Sequence, residues 1–493
     1  MTTKALLSAL LLSASIIAAE AASPEEAAQI KTALQAYVGT EPGVVEVTPQ
    51  GNGYTIKFDA APYIAKAAGD DLKAYADPLT VIAEPMGNGQ WKVVGSGPWG
   101  FQLSAPGKLE LAIRAAEQNW SGVFDEALGG FASSESKMGG LSFSQKFTDP
   151  ATNAPVSLTY TFQSLTSSST AVADGTGSAD STTKMTLSGL NMVSLAEGGG
   201  NAAMNNYTVT ANSLTYDTSG KGLRMRALLD LLAWFVAHPA KDLIIRDQAQ
   251  LKEKLIAALP VFSSVTSNAT YDGLNIATAM GPFALAKVSA DVNMNGAVKD
   301  GFLQERIGFD GFTMPPGLVA PWMQELVPTK LGIDFSLAGF DLDTPVRAAL
   351  AQLDLSKDPP LPPATGQMLL PALVPTNSLA VTIGASEITS PVYSLTYDGT
   401  LNVSLAGLPT GKFNVKFKGM DALMAKVQAA VAVDPSAQQA MGALIAAKGM
   451  GKAEADGTLS YAIDIQPMGQ VFVNGVNVTA MTGAPPPSIQ PQQ

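Results

Sequence analysis

His238 is the single histidine in 493 residues, and the chain contains no cysteine. Imidazole is the side chain whose ordinary titration lies near neutral pH, so His238 is the natural candidate for a general base. It ends an apolar stretch just before Pro239. A helix C-terminus there would favour a protonated imidazole through its dipole, which gives the residue a structural reason to be present. Gly95-Ser-Gly-Pro-Trp-Gly100 fits the glycine spacing of a dinucleotide loop. Such a loop must open into a helix so that backbone N–H groups face the pyrophosphate. Pro98 and the alternating Phe101-Gln-Leu103 predict a second strand instead, with a hairpin turn between the two.

Asp291-Val-Asn293-Met-Asn295-Gly296 imitates the opening of a calcium loop. The twelfth position should carry a bidentate Glu and is Phe302. A strand ending in an Asn-Gly turn explains the same residues. Ser134-Glu-Ser-Lys137 and Ser181-Thr-Thr-Lys184 have the spacing of an acylating serine and its lysine, a motif that works at a helix start beside a second catalytic set. Both lie in Gly/Ser-rich sequence that reads as surface loop. Asp341 and Asp343 would share one face of a strand, and they match a paired-carboxylate hydrolase in residue type alone. Their place beside Pro345 predicts capping and turn roles. No catalytic residue, metal ligand or cofactor site is expected, and the chain reads as a non-enzyme.

Composition narrows the classes further. Net charge is −12, and only 15% of residues are charged. No Lys/Arg cluster provides an electrostatic footprint for nucleic acid. A hydrophobic fraction of 46% argues for a packed core rather than disorder. Without cysteine, thiolate catalysis, thiolate metal sites and disulfide staples are all excluded.

The N-terminus predicts export. Lys4 supplies a positive charge, residues 6–19 form a short apolar run, and Ala19-Glu20-Ala21 is a small-x-small cleavage pattern. The run is shorter than the ~20 residues a membrane helix needs, so no stable transmembrane span is expected in the mature chain. Ser23, Pro24 and Glu26 then form an N-cap, N1 and N3 set for a helix. The expected location is periplasmic or secreted.

Most of the remaining sequence alternates with period two. Residues 54–58, 156–162, 207–211, 331–337, 393–397, 401–405, 413–417, 459–465 and 471–473 each put apolar side chains on one face and Ser, Thr, Asn or Lys on the other. That is the pattern of antiparallel sheets with one wet face. Asp272-Gly273, Asn295-Gly296, Asp398-Gly399 and Asn474-Gly475 predict hairpin turns. Short amphipathic helices are predicted at 24–38, 107–127, 227–237, 243–259, 318–327, 346–353 and after Gly419-Met420. The fold class is therefore mainly β (a β-rich α+β protein), with extended twisted antiparallel sheets covered by short amphipathic helices.

The expected organisation is a signal at 1–21, a mixed α+β unit at 22–130, and a β-rich unit at 131–357 with a helical hairpin at 223–259. Residues 164–184 read as a long polar hairpin loop. A proline-rich linker at 358–366 leads to a β-rich unit at 367–482 and a disordered tail at 483–493.

Two stretches carry a resemblance. Residues 305–342 (ERIGFDGFTMPPGLVAPWMQELVPTKLGIDFSLAGFDL) and 457–476 (GTLSYAIDIQPMGQVFVNGV) resemble the bacterial domain-of-unknown-function family 2125 and its AsmA-like relatives. The likeness covers the last two-fifths of the chain. It implies an exported or envelope protein rich in long antiparallel sheets, and it carries over no functional residues.

Three functions remain in view. The first is a binding or transfer protein for an apolar ligand such as lipid, its groove lined by Trp322, Met323, Leu326, Met420 and Met424. The second is an envelope scaffold with a protein partner. The third is a carboxylate hydrolase, which has the least support in the residues.

Overall fold

The computed structural model describes residues 22–67, 72–105, 107–149, 153–196 and 206–479. The signal pattern at 1–21 and the tail at 483–493 lie outside them. The protein is mainly β and antiparallel, and it divides into two compact units. Of the described residues, the first holds those within 22–283, 295–298 and 346–365; the second holds those within 284–294, 299–345 and 366–479. Of residues 358–366, read from sequence as linker, 358–365 fall in the first unit and Gly366 in the second.

The first unit begins with α1 (Pro24–Val38), where Ser23 Oγ accepts from the Glu26 N–H at 3.2 Å. The strands β1 (Val45–Gln50), β2 (Gly53–Phe58), β4 (Leu79–Gly87), β5 (Gln90–Ser96) and β7 (Leu109–Asp125) pair in that order. A short α2 (Ala61–Ala67) and β3 (Lys73–Ala76) lie between β2 and β4 in sequence. Beyond Gly97-Pro98 the chain continues as β6 (Trp99–Ala105), which pairs with the other half of β7. The glycine motif is therefore a bend between two strands laid along one partner. It is neither a hairpin nor a helix start.

Next come the long strands β8 (Gly130–Thr148), β9 (Pro155–Ala173), β10 (Ala179–Ala196), β11 (Tyr207–Leu223) and β12 (Ser264–Thr278), each paired with the next. The helices α3 (Met225–Ala237), α4 (Lys241–Arg246) and α5 (Gln248–Ala258) follow β11. The expected second helix of the hairpin is thus broken at Asp247. A core of Ile30, Leu34, Val45, Trp91, Val93 and Phe124 packs α1 and Leu229 of α3 onto the sheet.

Two sequence expectations fail here. Residues 107–127 are strand, not helix: Leu109, Leu111 and Ile113 alternate, and pairing with β6 and β8 satisfies the backbone on both sides. Residues 164–184 are strand with only a tight turn at 174–178, so both Ser-x-x-Lys motifs sit in strands rather than loops. Hydroxyls bond across them, Ser134 to Ser169 at 2.7 Å and Thr170 to Thr182 at 2.8 Å, so Ser and Thr serve as cross-strand pairs.

Asp272-Gly273 also lies inside a strand. The strand pairing is interrupted along one line, at Ala116, Gly140, Gln163, Gly189, Asn212 and Gly273, with paired residues on either side. Its three glycines have φ of +56°, +65° and +64°, a conformation open to glycine and strained for other residues. On one side of this row the apolar residues Met138, Leu165, Leu187, Leu214 and Tyr271 line up on one face. On the other side Ile113, Phe143, Tyr160, Met192, Val209 and Ile276 line up in a second apolar row. Across the glycine row the apolar alternation shifts its phase by one residue, as from Met138 to Phe143 in β8 and from Leu187 to Met192 in β10.

In the second unit β13 (Gly281–Asn295), β14 (Gly301–Asp310), β15 (Lys330–Phe340), β16 (Ser378–Thr389), β17 (Ser394–Ser404) and β18 (Thr410–Lys418) pair in sequence order. Strand β19 (Lys452–Ala453) and β18 both flank β20 (Leu459–Ile465), which continues to β21 (Val471–Val473) and β22 (Val476–Asn477). Asn295-Gly296 and Asn474-Gly475 do turn the chain between strands, whereas Asp398-Gly399 lies inside β17. Helix α6 (Asp343–Gln352) falls mostly among the residues of the first unit, and the helices of the second are α7 (Thr365–Leu373), α8 (Met420–Ala430) and α9 (Pro435–Met450). The helix expected at 318–327 is a 3₁₀ segment, Pro321–Leu326, started by Pro321.

Candidate functional site

The register of the second unit sorts its side chains into two unlike faces. One row runs Met294, Leu303, Leu337, Val381, Leu401, Gly411, Ile465, Val471. Two residues along each strand, the next runs Val292, Glu305, Phe335, Ile383, Gly399, Phe413, Ile463, Val473. Further rows on the same face carry Ile307 opposite Ile333, and Phe309 opposite Leu331. Gly399 keeps the surface flat, since a β-carbon there would meet Phe413 Cδ1 at 2.3 Å. The ring lies over the glycine, as aromatics do across strands.

The reverse face is polar. Arg306 Nε donates to Asp334 at 2.8 Å, Gln304 Nε2 donates to Asp334 at 2.9 Å, and Lys330 pairs with Glu387 at 2.7 Å. Burial pushes the Asp334 carboxyl up, but the hydrogen bonds from Arg306 and Gln304 and the Arg306 charge together outweigh it and hold the group below its usual range.

The apolar face is covered at one end. There α8 and α9 close a cluster of Leu423, Val427, Ala430, Ala437 and Met441, with Phe417 of β18 packed against it. Tyr461 of β20 donates to the Ala447 carbonyl of α9 at 3.0 Å. Away from that end the face stays accessible: Ile307 is 46% exposed and Ile333 is 38% exposed. Large aliphatic side chains grouped on an open surface mark a place where something apolar docks.

The five residues expected to line a groove belong mostly to the covering cluster. Trp322, Leu326 and Met424 pack against it, and Met420 is buried at the start of α8. Met323 is 38% exposed. Trp322 Nε1 donates to Asp434 at 3.0 Å, and the Asp434 carboxylate also accepts from the Ser436 N–H at 2.9 Å. Ser436 and Trp322 together hold that carboxyl below its ordinary range. Trp322, Leu326, Met420 and Met424 fill a small core and fasten it, whereas Met323 is as exposed as Ile333. Sequence periodicity marked the dry sides of 331–337 and 401–405 but missed β14 and β16, and it did not reveal that Leu303, Leu337, Val381 and Leu401 share a row.

The residues with chemical potential are structurally employed. His238 caps α3: Nδ1 lies 2.7 Å from the Trp234 carbonyl, Nε2 lies 3.1 Å from Asp247, and the ring stacks on Trp234 with centroids 3.9 Å apart. Arg246, and after it His238, hold the Asp247 carboxyl below its ordinary range. Asp341 accepts from the Thr344 N–H at 2.9 Å and so opens α6. A cleft of about 820 Å³ in the first unit is edged by Glu135, Lys137, Lys184 and Ser/Thr hydroxyls. Its charged groups are exposed to water. Among the described residues no group of three or more His, Asp or Glu is placed to hold a metal ion, and no helix is long and apolar enough to cross a membrane.

Comparison with known proteins adds one match. The model of a family described as uncharacterized proteins conserved in bacteria (DUF2125) matches residues 235–481, just over half of the chain. That span takes in every strand of the apolar face. No curated protein and no solved structure matches. The likeness to AsmA-like proteins is not shown by these comparisons. The chain belongs to the DUF2125 family of bacterial proteins.

Proposed function

We propose that this protein works outside the cytoplasm, in the periplasm or secreted, as a non-catalytic binding or transfer protein for an apolar ligand, in the first instance lipid. The observation that carries the reading is the apolar face of the second unit, with Ile307 and Ile333 left accessible on strands whose reverse sides hold the ion pairs. A sheet of this kind gains about 25 cal/mol for each Å² of apolar surface taken from water. An acyl chain lying across the strands would supply that cover without requiring a polar partner. The signal-like N-terminus supports the location.

The test is organic extraction and mass spectrometry of full-length protein purified from a periplasm without detergent. Lipid recovered at a fixed stoichiometry supports the reading. A ligand-free protein that stays monomeric and folded overturns it. A ligand-free protein that elutes with another envelope protein transfers the face to the scaffold reading.

A further inference from the structure

The apolar face carries one ionisable acid, and its position is specific. Glu305 stands in β14 between Leu303 and Ile307, opposite Val292 on one side and Phe335 on the other. By register it shares the dry face with all four. Among the described residues it makes no ion pair or side-chain hydrogen bond. The nearest cation in sequence, Arg306, points to the reverse face and is held by Asp334 at 2.8 Å. Placing a half-buried carboxylate among aliphatic groups without a partner costs free energy that an apolar residue would not. A local rule broken in this way marks functional positions more often than accidents.

We propose that Glu305 receives the ammonium group of a lipid, so that the ligand of the apolar face is an aminophospholipid whose acyl chains lie across the strands. The inference rests on the lipid reading of that face. Charge complementarity selects the headgroup: a primary ammonium offers donors to the carboxylate and can also rest against the Phe335 ring, whose Cβ is about 5 Å away in a directly opposed pair. Space selects the tail. From Glu305 the row continues through Phe335, Ile383, Gly399, Phe413 and Ile463 without another polar side chain. At about 4.8 Å per strand that is about 24 Å. One leaflet of a bilayer, half of the ~30 Å hydrocarbon core, is shorter.

The experiment incubates the full chain with vesicles of phosphatidylethanolamine or of phosphatidylglycerol with matched acyl chains, separates the protein, and measures retained lipid by mass spectrometry. The wild type should prefer phosphatidylethanolamine by on the order of tenfold, the size expected of one charge-assisted hydrogen bond. Glu305→Gln should bring the two lipids close to parity while lipid is still retained, and Glu305→Lys should reverse the order. Equal retention of both lipids by the wild type overturns the headgroup assignment and leaves the lipid reading standing. Unchanged preference in both variants overturns it as well, as does self-association of Glu305→Gln with unaltered selectivity, which would make Glu305 a guard against aggregation. Retention of neither lipid by the wild type overturns the lipid reading itself.

Discussion

Asn212 can lie over Gly273 because that glycine has no β-carbon: one placed there would be 2.3 Å from the Asn212 Nδ2. Gly189 stands in the same relation to Gln163, with 2.6 Å to its Cγ. Both glycines stand where the pairing of the long strands is interrupted, and both have positive φ. An alanine would add backbone strain to a steric clash, since the left-handed region costs an L-residue roughly 1–2 kcal/mol. Gly273→Ala should therefore lower the unfolding free energy by about 2 kcal/mol in urea titrations. Adding Asn212→Ala should return part of that loss, the clash but not the strain. Strictly additive effects would show that the two residues do not press on each other.

The dry face should be separable from the fold. Ile307 and Ile333 are well exposed, and exposed sites tolerate substitution within about 0.5 kcal/mol. The double variant Ile307→Asn, Ile333→Asn is expected to keep its thermal transition and to lose most of the lipid that co-purifies with the wild type. A fall in stability without a change in bound lipid would move the site elsewhere.

Tyr54 joins β2 to α1 through its hydroxyl, which donates to Glu26. Burial, reinforced by that hydrogen bond, pushes the phenol up to about 12, while Tyr54 holds the Glu26 carboxyl below its ordinary range. The raised phenol contributes stability that is complete below pH 10 and is lost as pH climbs towards 12. The lowered carboxylate contributes stability that is complete above its ordinary value of 4.5 and is lost as pH falls through its folded value. Stability measured against pH should therefore fall at both ends, and Tyr54→Phe should flatten both declines relative to the wild type.

The strands were legible in the sequence wherever alternation was pure. Phe413 to Phe417 and Leu459 to Ile465 are strand as their periodicity predicts. Leu109 to Asp125 misleads because Leu, Ala, Glu and Gln favour helices, and this preference yields when both neighbouring strands offer pairing. The Ser/Thr run at 164–184 misleads for the opposite reason: it is poor in apolar residues, yet its hydroxyls bond across strands. Asp-Gly at 272–273 has turn chemistry, but Gly273 uses its positive φ for the strand kink. The candidate site was legible only in part. Trp322 and Met424 announced an apolar helix face, but that face closes against α9, an element whose Ala- and Gln-rich sequence gave no periodic signal. The larger dry face depends on register between strands, and Glu305 gains its meaning only there.

The Trp322–Asp434 hydrogen bond offers the sharpest separation of scaffold from site. Trp322→Phe keeps the ring packing and removes the donor, so the cost should be about 1 kcal/mol, that of one hydrogen bond. Asp434→Ala also removes the N-cap of α9, and it leaves the indole N–H without its acceptor. Cap loss alone costs about 1 kcal/mol. With the orphaned donor the total should be about 2–3 kcal/mol, read as a lower midpoint in urea. Neither variant touches Ile307, Ile333 or Glu305, so lipid retention per folded molecule should equal that of the wild type. If Trp322→Phe instead released the lipid while the fold persisted, the ligand would be held by the helical cluster, and the strand face would be only its floor.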